Sequence, residues 1–199
     1  VAARPTDAAR DSLYRAADIF LSPSDNVQET FGLTILEAGL AGLPVIASDY
    51  DGYKDTVLHE KTGLLIPVIC PSRTEYTDIL AHLWYDSEYH LRLAQQTAMS
   101  VPRLAEGLAE LIADRERRET MGRAAREHVL KSYVWDKIIA EYLALWEELR
   151  ARPIEREALR GIGHPLQFSF ARLFEAYGTS ELSGDLRVIW SRAGEALYR

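Results

Sequence analysis

Two glutamates separated by seven residues, Glu29 and Glu37, bracket Gly32 in the stretch of this sequence whose residue types are best suited to chemistry. A helix that begins at Gly32 or Leu33 presents free backbone N–H groups and the positive end of its dipole, both of which favour a phosphate group. A glycine there lets the backbone approach a ligand closely. Carboxylates accept charge-assisted hydrogen bonds from hydroxyl groups. The stretch therefore suits a ligand that carries phosphate and hydroxyl groups together, such as a sugar nucleotide.

The elements that would position these residues are visible on either side of them. Apolar runs at residues 19–21, 44–48 and 63–68 predict three buried strands of a parallel sheet that is covered on both faces. Ser22 and Pro23 end the first strand, and a polar loop over residues 24–32 follows. Open α/β sheets bind ligands at the carboxyl ends of their strands, which is where this loop begins.

Local signals predict where the neighbouring helices begin and end. Thr6 is a candidate N-cap for a helix over residues 7–17. The helix after Gly32 stops at Gly42 and Pro44, the glycine acting as a C-terminal cap. A short helix is predicted over residues 55–60. The apolar side of the helix after Gly32 consists of Leu33, Ile35, Leu36 and Leu40.

After Pro71 the pattern predicts helices only, over residues 76–85, 88–99, 102–112, 115–131 and 135–149. The third of these is expected to bury Leu104, Leu108, Leu111 and Ile112. The last is the most amphipathic, and we expect its apolar face, which includes Trp135, to be buried. If so, Trp135→Ala costs about 3–5 kcal/mol. Residues 153–199 carry many aromatic and apolar side chains, which favours a helical extension packed on its own protein over a partner-binding patch.

Composition excludes several function classes. Of 199 residues, 47% are hydrophobic and 27% are charged, which is typical of a globular domain with a core. The net charge of -7 argues against a nucleic-acid partner. No apolar run approaches the ~20 residues of a membrane helix, so membrane contact is not indicated. The single cysteine, Cys70, fits a reducing compartment, and we expect a cytoplasmic location.

Several segments together resemble the carboxy-terminal half of retaining, nucleotide-sugar-dependent glycosyltransferases of the GT-B kind, the group 1 family. The Glu-x7-Glu pair sits around Phe-Gly after a Pro-Ser turn, as in the family. The match is close over residues 11–68 and looser over 101–150. Its further segments are Leu13–Asp18, Glu37–Asp49, Thr62–Leu65 and Ser132–Trp135.

The resemblance implies a role for individual residues. Glu29 would contact the donor sugar and is the catalytic candidate, and Glu37 would contact the ribose. The other donor-binding residues it implies are Phe31, Gly32, Leu33 and Thr34. The family's Gly-Gly-x-x-Glu turn reads 51-Asp-Gly-Tyr-Lys-Asp-55 here, so we place Asp55 at the acidic position and keep Lys54 as a candidate donor contact. The loop over residues 25–28 is longer than the common form.

The resemblance also implies what lies outside this sequence. The amino-terminal GT-B domain that binds the acceptor is missing, as are the strands carrying the Arg and Lys that neutralise the diphosphate. The chain begins at Val1, and we interpret it as a fragment of a longer protein that is inactive by itself. The resemblance implies that no cofactor and generally no metal is needed, that the donor's leaving phosphate acts as base, and that no protein nucleophile takes part. The donor's sugar and nucleotide and the acceptor stay open.

The predicted fold is therefore α/β: a partial Rossmann-like, GT-B carboxy-terminal parallel sheet, followed by a helical carboxy-terminal region. We divide it into a donor-binding half (residues 1–70), a helical insertion and helices packed on that half (71–152), and a helical extension (153–199). The alternative function is a non-catalytic sugar-nucleotide-binding or scaffolding module whose helical tail docks a partner.

Purely structural interpretations also exist for single residues. Phe31 is equally well explained as a core anchor, and Asp55 as the cap of the short helix after it. The spacing of His82, Asp86 and His90 would put them on one side of a helix, but we favour a solvated edge over a metal site.

Overall fold

The computed structural model describes residues 5–26, 29–81, 83, 86–153, 169–182, 184–185, 187 and 189. Its first sheet has three parallel strands in the order β1 (Phe20–Ser22), β2 (Val45–Ser48) and β3 (Gly63–Ile66). Phe20 pairs with Val45, and Val45 pairs with Gly63. The α/β class and the parallel sheet predicted from the sequence are confirmed.

Helices surround this sheet, and shorter strands follow it. The remaining strands are β4 (Val68–Pro71), β5 (Ala98–Met99) and β6 (Ser180–Leu182). The helices are α1 (Asp7–Ala16), α2 (Leu33–Leu40), α3 (Tyr53–Thr56), α4 (Glu75–Ala81), α5 (Ser87–Ala94), α6 (Val101–Ala113), α7 (Arg115–Ser132), α8 (Trp135–Ala151) and α9 (Phe170–Leu173).

Core side chains cover both faces of the first sheet, as the continuous apolar strands predict. Strand β2 is buried along its whole length. Because successive side chains of a strand alternate, Val45 and Ala47 face α2, while Ile46 faces α6 and α7. The two faces are completed by Ile35, Ala38, Leu43, Tyr53 and Val57 on one side, and by Leu64, Ile66, Leu111 and Met121 on the other.

Both ends of α2 follow from local sequence. Gly32 precedes the helix in the left-handed region, with φ of 76°, and Gly42 ends it with φ of 83°, a region in which glycine carries no steric penalty. The guanidinium group of Arg126 on α7 donates a hydrogen bond of 2.8 Å to the carbonyl oxygen of Leu40. Helix α7 therefore satisfies one of the free carbonyl groups at the end of α2.

The predicted apolar side of α2 is partly wrong. Leu33 is 67% exposed and Leu40 is 44% exposed, whereas Ile35, Ala38 and Gly39 are buried. The reason is the close approach of α7: a Cβ atom on Gly39 would lie 3.0 Å from Cγ2 of Val129. Small residues form this contact, and a search for large apolar side chains overlooks them.

Two further helix predictions need correction. The short helix expected over residues 55–60 is α3, which begins earlier, at Tyr53, immediately after Gly52. In α6, Leu111 is fully buried as predicted, but Ile112 is 64% exposed because it lies one position round the helix from Leu111. Pro102 stands in the first turn of α6, as predicted.

The amphipathic face of α8 is not buried, contrary to the prediction. Trp135 is 76% exposed, and none of the residues of α8 is buried against another described part of the chain. The expected cost of Trp135→Ala assumed a buried ring and no longer holds. Periodicity correctly identified a helix, but it does not establish which surface covers its apolar side.

The expectation of helices only beyond Pro71 is also wrong. Strand β4 pairs antiparallel with β5 and parallel with β6 in a second, small sheet. Its outer strands are only two and three residues long, and β6 is exposed throughout, so neither shows an apolar run. Within the tail, residues 166, 168, 186, 188 and 190 of the predicted apolar set lie outside the described residues. The domain division at residues 70 and 152 stays a prediction.

The contact between α7 and the turn after α2 gives a stability prediction. A Cβ atom on Gly122 would lie 2.0 Å from the carbonyl oxygen of Gly42, which is backbone and cannot rotate away. Gly122→Ala should therefore lower the free energy of unfolding by about 1–3 kcal/mol in urea titration, although alanine is the better helix former. Gly184→Ala, with no atom within 4 Å of the added Cβ, is the control. A stabilised Gly122→Ala variant would contradict this packing.

Candidate functional site

The loop after β1 brings Glu29 to the start of α2. One carboxylate oxygen of Glu29, Oε1, accepts a hydrogen bond of 3.0 Å from the backbone N–H of Gly32. Residues 29–32, here called the β1 loop, are thereby drawn into a tight bend that ends where the helix begins. The bend fixes the carboxylate beside the positive end of the helix dipole, where a negative charge is stabilised.

The first N–H groups of α2 are free to bind a ligand. Among the described residues, the backbone N–H groups of Leu33 and Thr34 have no acceptor, and both residues are exposed. The next N–H group, that of Ile35, donates to the carbonyl oxygen of Gly32 at 2.9 Å. Two adjacent donors beside a glycine are the arrangement that binds phosphate oxygens at helix N-termini.

A second turn packs against the β1 loop. It covers residues 49–54, follows strand β2, and is called the β2 turn here. A Cβ atom on Gly52 would lie 2.3 Å from the carbonyl oxygen of Thr30, and one on Gly32 would lie 2.2 Å from Cε1 of Tyr53. Glycine is therefore required at both positions, because backbone and ring occupy the space of a side chain.

Tyr53 connects the ends of the two strands. Its ring is buried against Gly32, and its hydroxyl group lies 2.8 Å from Oγ of Ser22 at the end of β1. Burial raises the pKa of Tyr53, and the nearby Glu29 carboxylate raises it further, although Ser22 acts in the opposite direction. The hydroxyl group stays protonated at neutral pH. Sequence reasoning missed Tyr53, because only the fold brings it to the β1 loop.

Glu37 has different neighbours. Its Oε2 atom accepts a hydrogen bond of 3.0 Å from the hydroxyl group of Tyr14 on α1, and Nε of Arg10 lies 3.7 Å away. Burial raises the pKa of Tyr14 to about 12, and the hydrogen bond to Glu37 contributes to this increase. An open depression surrounds the pair, lined by Arg10, Asp11, Tyr14, Arg15, Glu37, Leu40, Ala41 and Arg126.

Glu29 is not among the residues that line this depression. The two glutamates therefore lie at different levels of α2: Glu29 is in the loop beside the first N–H groups of the helix, and Glu37 is inside the helix, five residues after Gly32. That offset corresponds to about 7.5 Å along a helix axis. An extended ligand could contact both carboxylates, whereas a compact one could contact only one of them.

Phe31 packs as an anchor of the β1 loop, and part of its side chain stays accessible to a ligand. Its ring packs edge-on against Tyr133 at the junction of α7 and α8, with ring centroids 6.2 Å apart. The side chain is still 38% exposed. Tyr133 in turn donates a hydrogen bond of 2.7 Å to the carbonyl oxygen of Asp55, so it ties the β1 loop to α3.

Asp55 and Lys54 differ in exposure and in hydrogen-bond partners. Asp55 is exposed and lies inside α3, which follows Gly52, so the interpretation of Asp55 as a helix cap is wrong. The ammonium group of Lys54 donates to the carbonyl oxygens of Ala176 at 2.9 Å and Gly178 at 3.0 Å. Both acceptors belong to the carboxy-terminal part of the chain, beyond the predicted boundary at residue 152.

Asp51 is the strained residue of the β2 turn. Its φ of 42° lies in the left-handed region, and its Oδ2 atom is buried without a hydrogen-bond partner among the described residues. Burial raises the pKa of Asp51, while the neighbouring Tyr177 hydroxyl group and the Gly52 backbone partly oppose the change. Backbone strain and an unpaired buried carboxylate oxygen often accompany functional sites.

No group of three His, Cys, Asp or Glu side chains suited to a metal ion occurs within the residues that the structure describes. His82 lies outside them, so the His82–Asp86–His90 spacing stays untested. None of the described helices is long and apolar enough to cross a membrane.

Comparison with known proteins identifies the family. The family model for glycosyl transferases group 1 matches residues 4–99, which include β1, α2, β2, the β1 loop, the β2 turn and both glutamates. Residues 4–99 of this chain are therefore a group 1 glycosyl transferase region. The resemblance inferred from the Glu-x7-Glu region is thereby confirmed.

Individual relatives agree with this family. The chain is 32% identical over 133 residues to a GDP-mannose-dependent alpha-(1-6)-phosphatidylinositol monomannoside mannosyltransferase of Mycobacterium tuberculosis (strain CDC 1551 / Oshkosh), covering 64% of this chain and 27% of that protein. It is 33% identical over 136 residues to a D-inositol 3-phosphate glycosyltransferase of Jonesia denitrificans, covering 68% and 24%. The chain thus spans about a quarter of the length of these curated relatives.

Among solved structures, a sucrose-phosphate synthase from Thermosynechococcus elongatus superposes with a TM-score of 0.47 at 30% identity, covering 70% of this chain and 27% of that one.

The environment of Asp51 yields a prediction about pH. A carboxyl group whose pKa is raised by folding destabilises the protein above its unfolded pKa, because the native state then holds a poorly solvated charge. Asp51→Asn should therefore raise the melting temperature at pH 7, and asparagine tolerates the left-handed backbone. The advantage should shrink as the pH falls through the raised native pKa, and it should vanish only below the unfolded pKa of about 3.9, where both states are protonated.

Melting curves at pH 4 and pH 7 measure this difference, with the exposed Asp185→Asn as the matched control. The quantity to compare is the melting temperature of Asp51→Asn minus that of the parent. If this difference is lower at pH 7 than at pH 4, the carboxylate is stabilised in its charged form.

Proposed function

We propose that the protein containing this chain transfers a sugar from a nucleotide diphosphosugar to an acceptor hydroxyl, with retention of anomeric configuration. The observation that supports it most strongly is the β1 loop: the Glu29 carboxylate and the free N–H groups of Leu33 and Thr34 lie at one end of α2. That combination provides acceptors for sugar hydroxyls beside donors for phosphate oxygens.

Each group has a proposed role in the transfer. The N–H groups of Leu33 and Thr34 stabilise the charge that develops on the leaving diphosphate as the bond to the anomeric carbon breaks. Oε1 of Glu29 is held by Gly32, so its other oxygen, Oε2, is the acceptor that we assign to a sugar hydroxyl. Gly32 and Phe31 form the wall along which the donor lies. The acceptor oxygen bonds to the anomeric carbon on the same face from which the diphosphate leaves, and the leaving phosphate takes the proton of the acceptor hydroxyl. Retention then requires neither a protein nucleophile nor a protein base.

Glu37 is proposed to bind the ribose. Tyr14 and Arg10 hold its Oε2 atom, which orients the carboxylate and leaves Oε1 for a ribose hydroxyl. Charge-assisted hydrogen bonds from hydroxyl groups would fix the nucleoside, and its binding energy then supports the reacting end of the donor. Asp55 stays a candidate at the outer edge of the site.

The remaining parts of the proposal concern what surrounds this chain. The acceptor is bound by a second domain outside this sequence, which accords with the quarter of the relatives' length that the chain spans. The chain alone is proposed to be inactive. Names of the relatives point to sugar donors such as GDP-mannose and to phosphorylated inositol or lipid acceptors as the first panel to test. Cys70 has no disulfide partner, which fits the cytoplasm as the proposed location.

Substitution of the two glutamates tests the assignment in the full-length protein. With a panel of nucleotide sugars, Glu29→Gln should lower kcat/KM about a hundredfold or more, because an interaction with the reacting sugar is lost. Glu37→Gln should raise the Kd for the nucleoside diphosphate about tenfold, the effect of losing one charge-assisted hydrogen bond. Glu116→Gln, an exposed carboxylate on α7, is the control. Two fully active glutamate variants would refute the donor site.

Tyr14 provides a finer test of the ribose contact. If the Tyr14 hydroxyl group orients Glu37, the protein should bind a nucleoside diphosphate more tightly than its 2′-deoxy form. Tyr14→Phe should then reduce the ratio of the two Kd values about fivefold. The ratio of the two Kd values, measured by calorimetry, cancels general losses of affinity. Tyr76→Phe, which alters a 73% exposed side chain, is the matched control. An unchanged ratio in Tyr14→Phe, together with a reduced ratio in Glu37→Gln, would show that Glu37 needs no orientation by Tyr14.

A further inference from the structure

A carboxy-terminal segment packs directly on the β2 turn. Residues 176–179, here called the docking segment, lie between α9 and β6 and outside the region that the family model matches. The N–H group of Asp51 donates to the carbonyl oxygen of Tyr177 at 3.1 Å. The hydroxyl group of Thr179 donates to Oδ2 of Asp49 at 2.6 Å. Together with the two hydrogen bonds of Lys54, these contacts join both ends and the middle of the turn to the segment.

The docking segment is itself anchored to the second sheet. The N–H of Thr179 donates to the carbonyl oxygen of Val68 at 2.8 Å, and the N–H of Val68 donates to Oγ1 of Thr179 at 3.1 Å. Strand β6 then continues in parallel along β4. The ring of Tyr177 packs edge-on against the buried Tyr50, with centroids 5.5 Å apart. The β2 turn is therefore held between the first sheet and a segment fixed to the second.

The opposite side of the β2 turn touches the proposed donor site. Gly52 contacts the backbone of Thr30, and Tyr53 fills the space above Gly32, whose N–H binds Glu29. A displacement of the β2 turn would move Gly52 and Tyr53, against which the β1 loop packs. The chain of contacts runs from Thr179 to the β2 turn and from there to Gly32, without a gap.

We propose that the docking segment is a positioning element of the donor site, which holds the β2 turn and through it the geometry of Glu29 and Gly32. This inference depends on the proposed function, since it assigns the segment to that same site. A loop ordered before the ligand arrives loses less entropy on binding, so the segment increases donor affinity without contacting the donor. Lys54 then acts through the segment's carbonyl oxygens, and not by direct contact with the donor.

Thr179 offers the sharpest test, because valine has the same shape and lacks the hydroxyl group. In the full-length protein, Thr179→Val should accelerate hydrogen exchange of the Gly32 amide about fivefold in the absence of ligand, because the hydrogen bonds of the hydroxyl group to Asp49 and Val68 are lost. It should also raise the Kd of the nucleotide sugar about fivefold, measured by calorimetry, because the β2 turn is then held less firmly. Thr179→Ser, which keeps the hydroxyl group, should restore both values. Ser180→Ala, at the next position, is the control.

The outcomes separate the two proposals. Unchanged exchange at Gly32 in Thr179→Val, or tighter donor binding by that variant, would overturn the positioning role; tighter binding would mean that the segment obstructs the site. Faster exchange at Gly32 in a protein that binds none of the nucleotide sugars would support the coupling between segment and loop and overturn the proposed function instead.

Discussion

The contact on which the site depends is the close approach of the β2 turn to the β1 loop. Tyr53 occupies the volume of a side chain at Gly32, and Thr30 occupies that of a side chain at Gly52. Without this contact the backbone at Gly32 would have no support for its left-handed conformation. That conformation directs its N–H to Glu29 and lets α2 begin with two donors that have no acceptor in the described part of the chain. The steric requirement for glycine at positions 32 and 52 thus determines where the Glu29 carboxylate and the first N–H groups of α2 lie.

Much of this arrangement could be predicted from the sequence because its causes are local. The Thr6 cap, the Gly32 start of α2 and the Gly42 end depend on residues within a few positions of each other. Parallel strands could be predicted from uninterrupted apolar runs, since helices cover both faces. Glu29 and Glu37 could be singled out because the segments around them also resemble the family, whereas the Glu-x7-Glu spacing alone is a weak signal.

The rest depends on contacts between residues distant in sequence. Tyr53, Tyr14 and Thr179 look unremarkable in the chain, and only the fold brings them to Gly32, Glu37 and Asp49. Leu33 and Trp135 belong to predicted apolar sides of their helices, but both are exposed. Amphipathicity identifies an apolar side, whereas burial depends on what packs against it. Strand β6 is short, exposed and polar, so its pairing with β4 rests on backbone hydrogen bonds, which leave no pattern in the sequence.

The pairing of Pro71 with Leu182 joins positions that are more than a hundred residues apart. During synthesis at about 5–20 residues per second, β4 leaves the ribosome on the order of ten seconds before its partner. Throughout that interval its edge is open to other chains, and the neighbouring turn has only one of its two supports. We therefore expect slower translation of the intervening helices to lengthen the time during which β4 can pair wrongly.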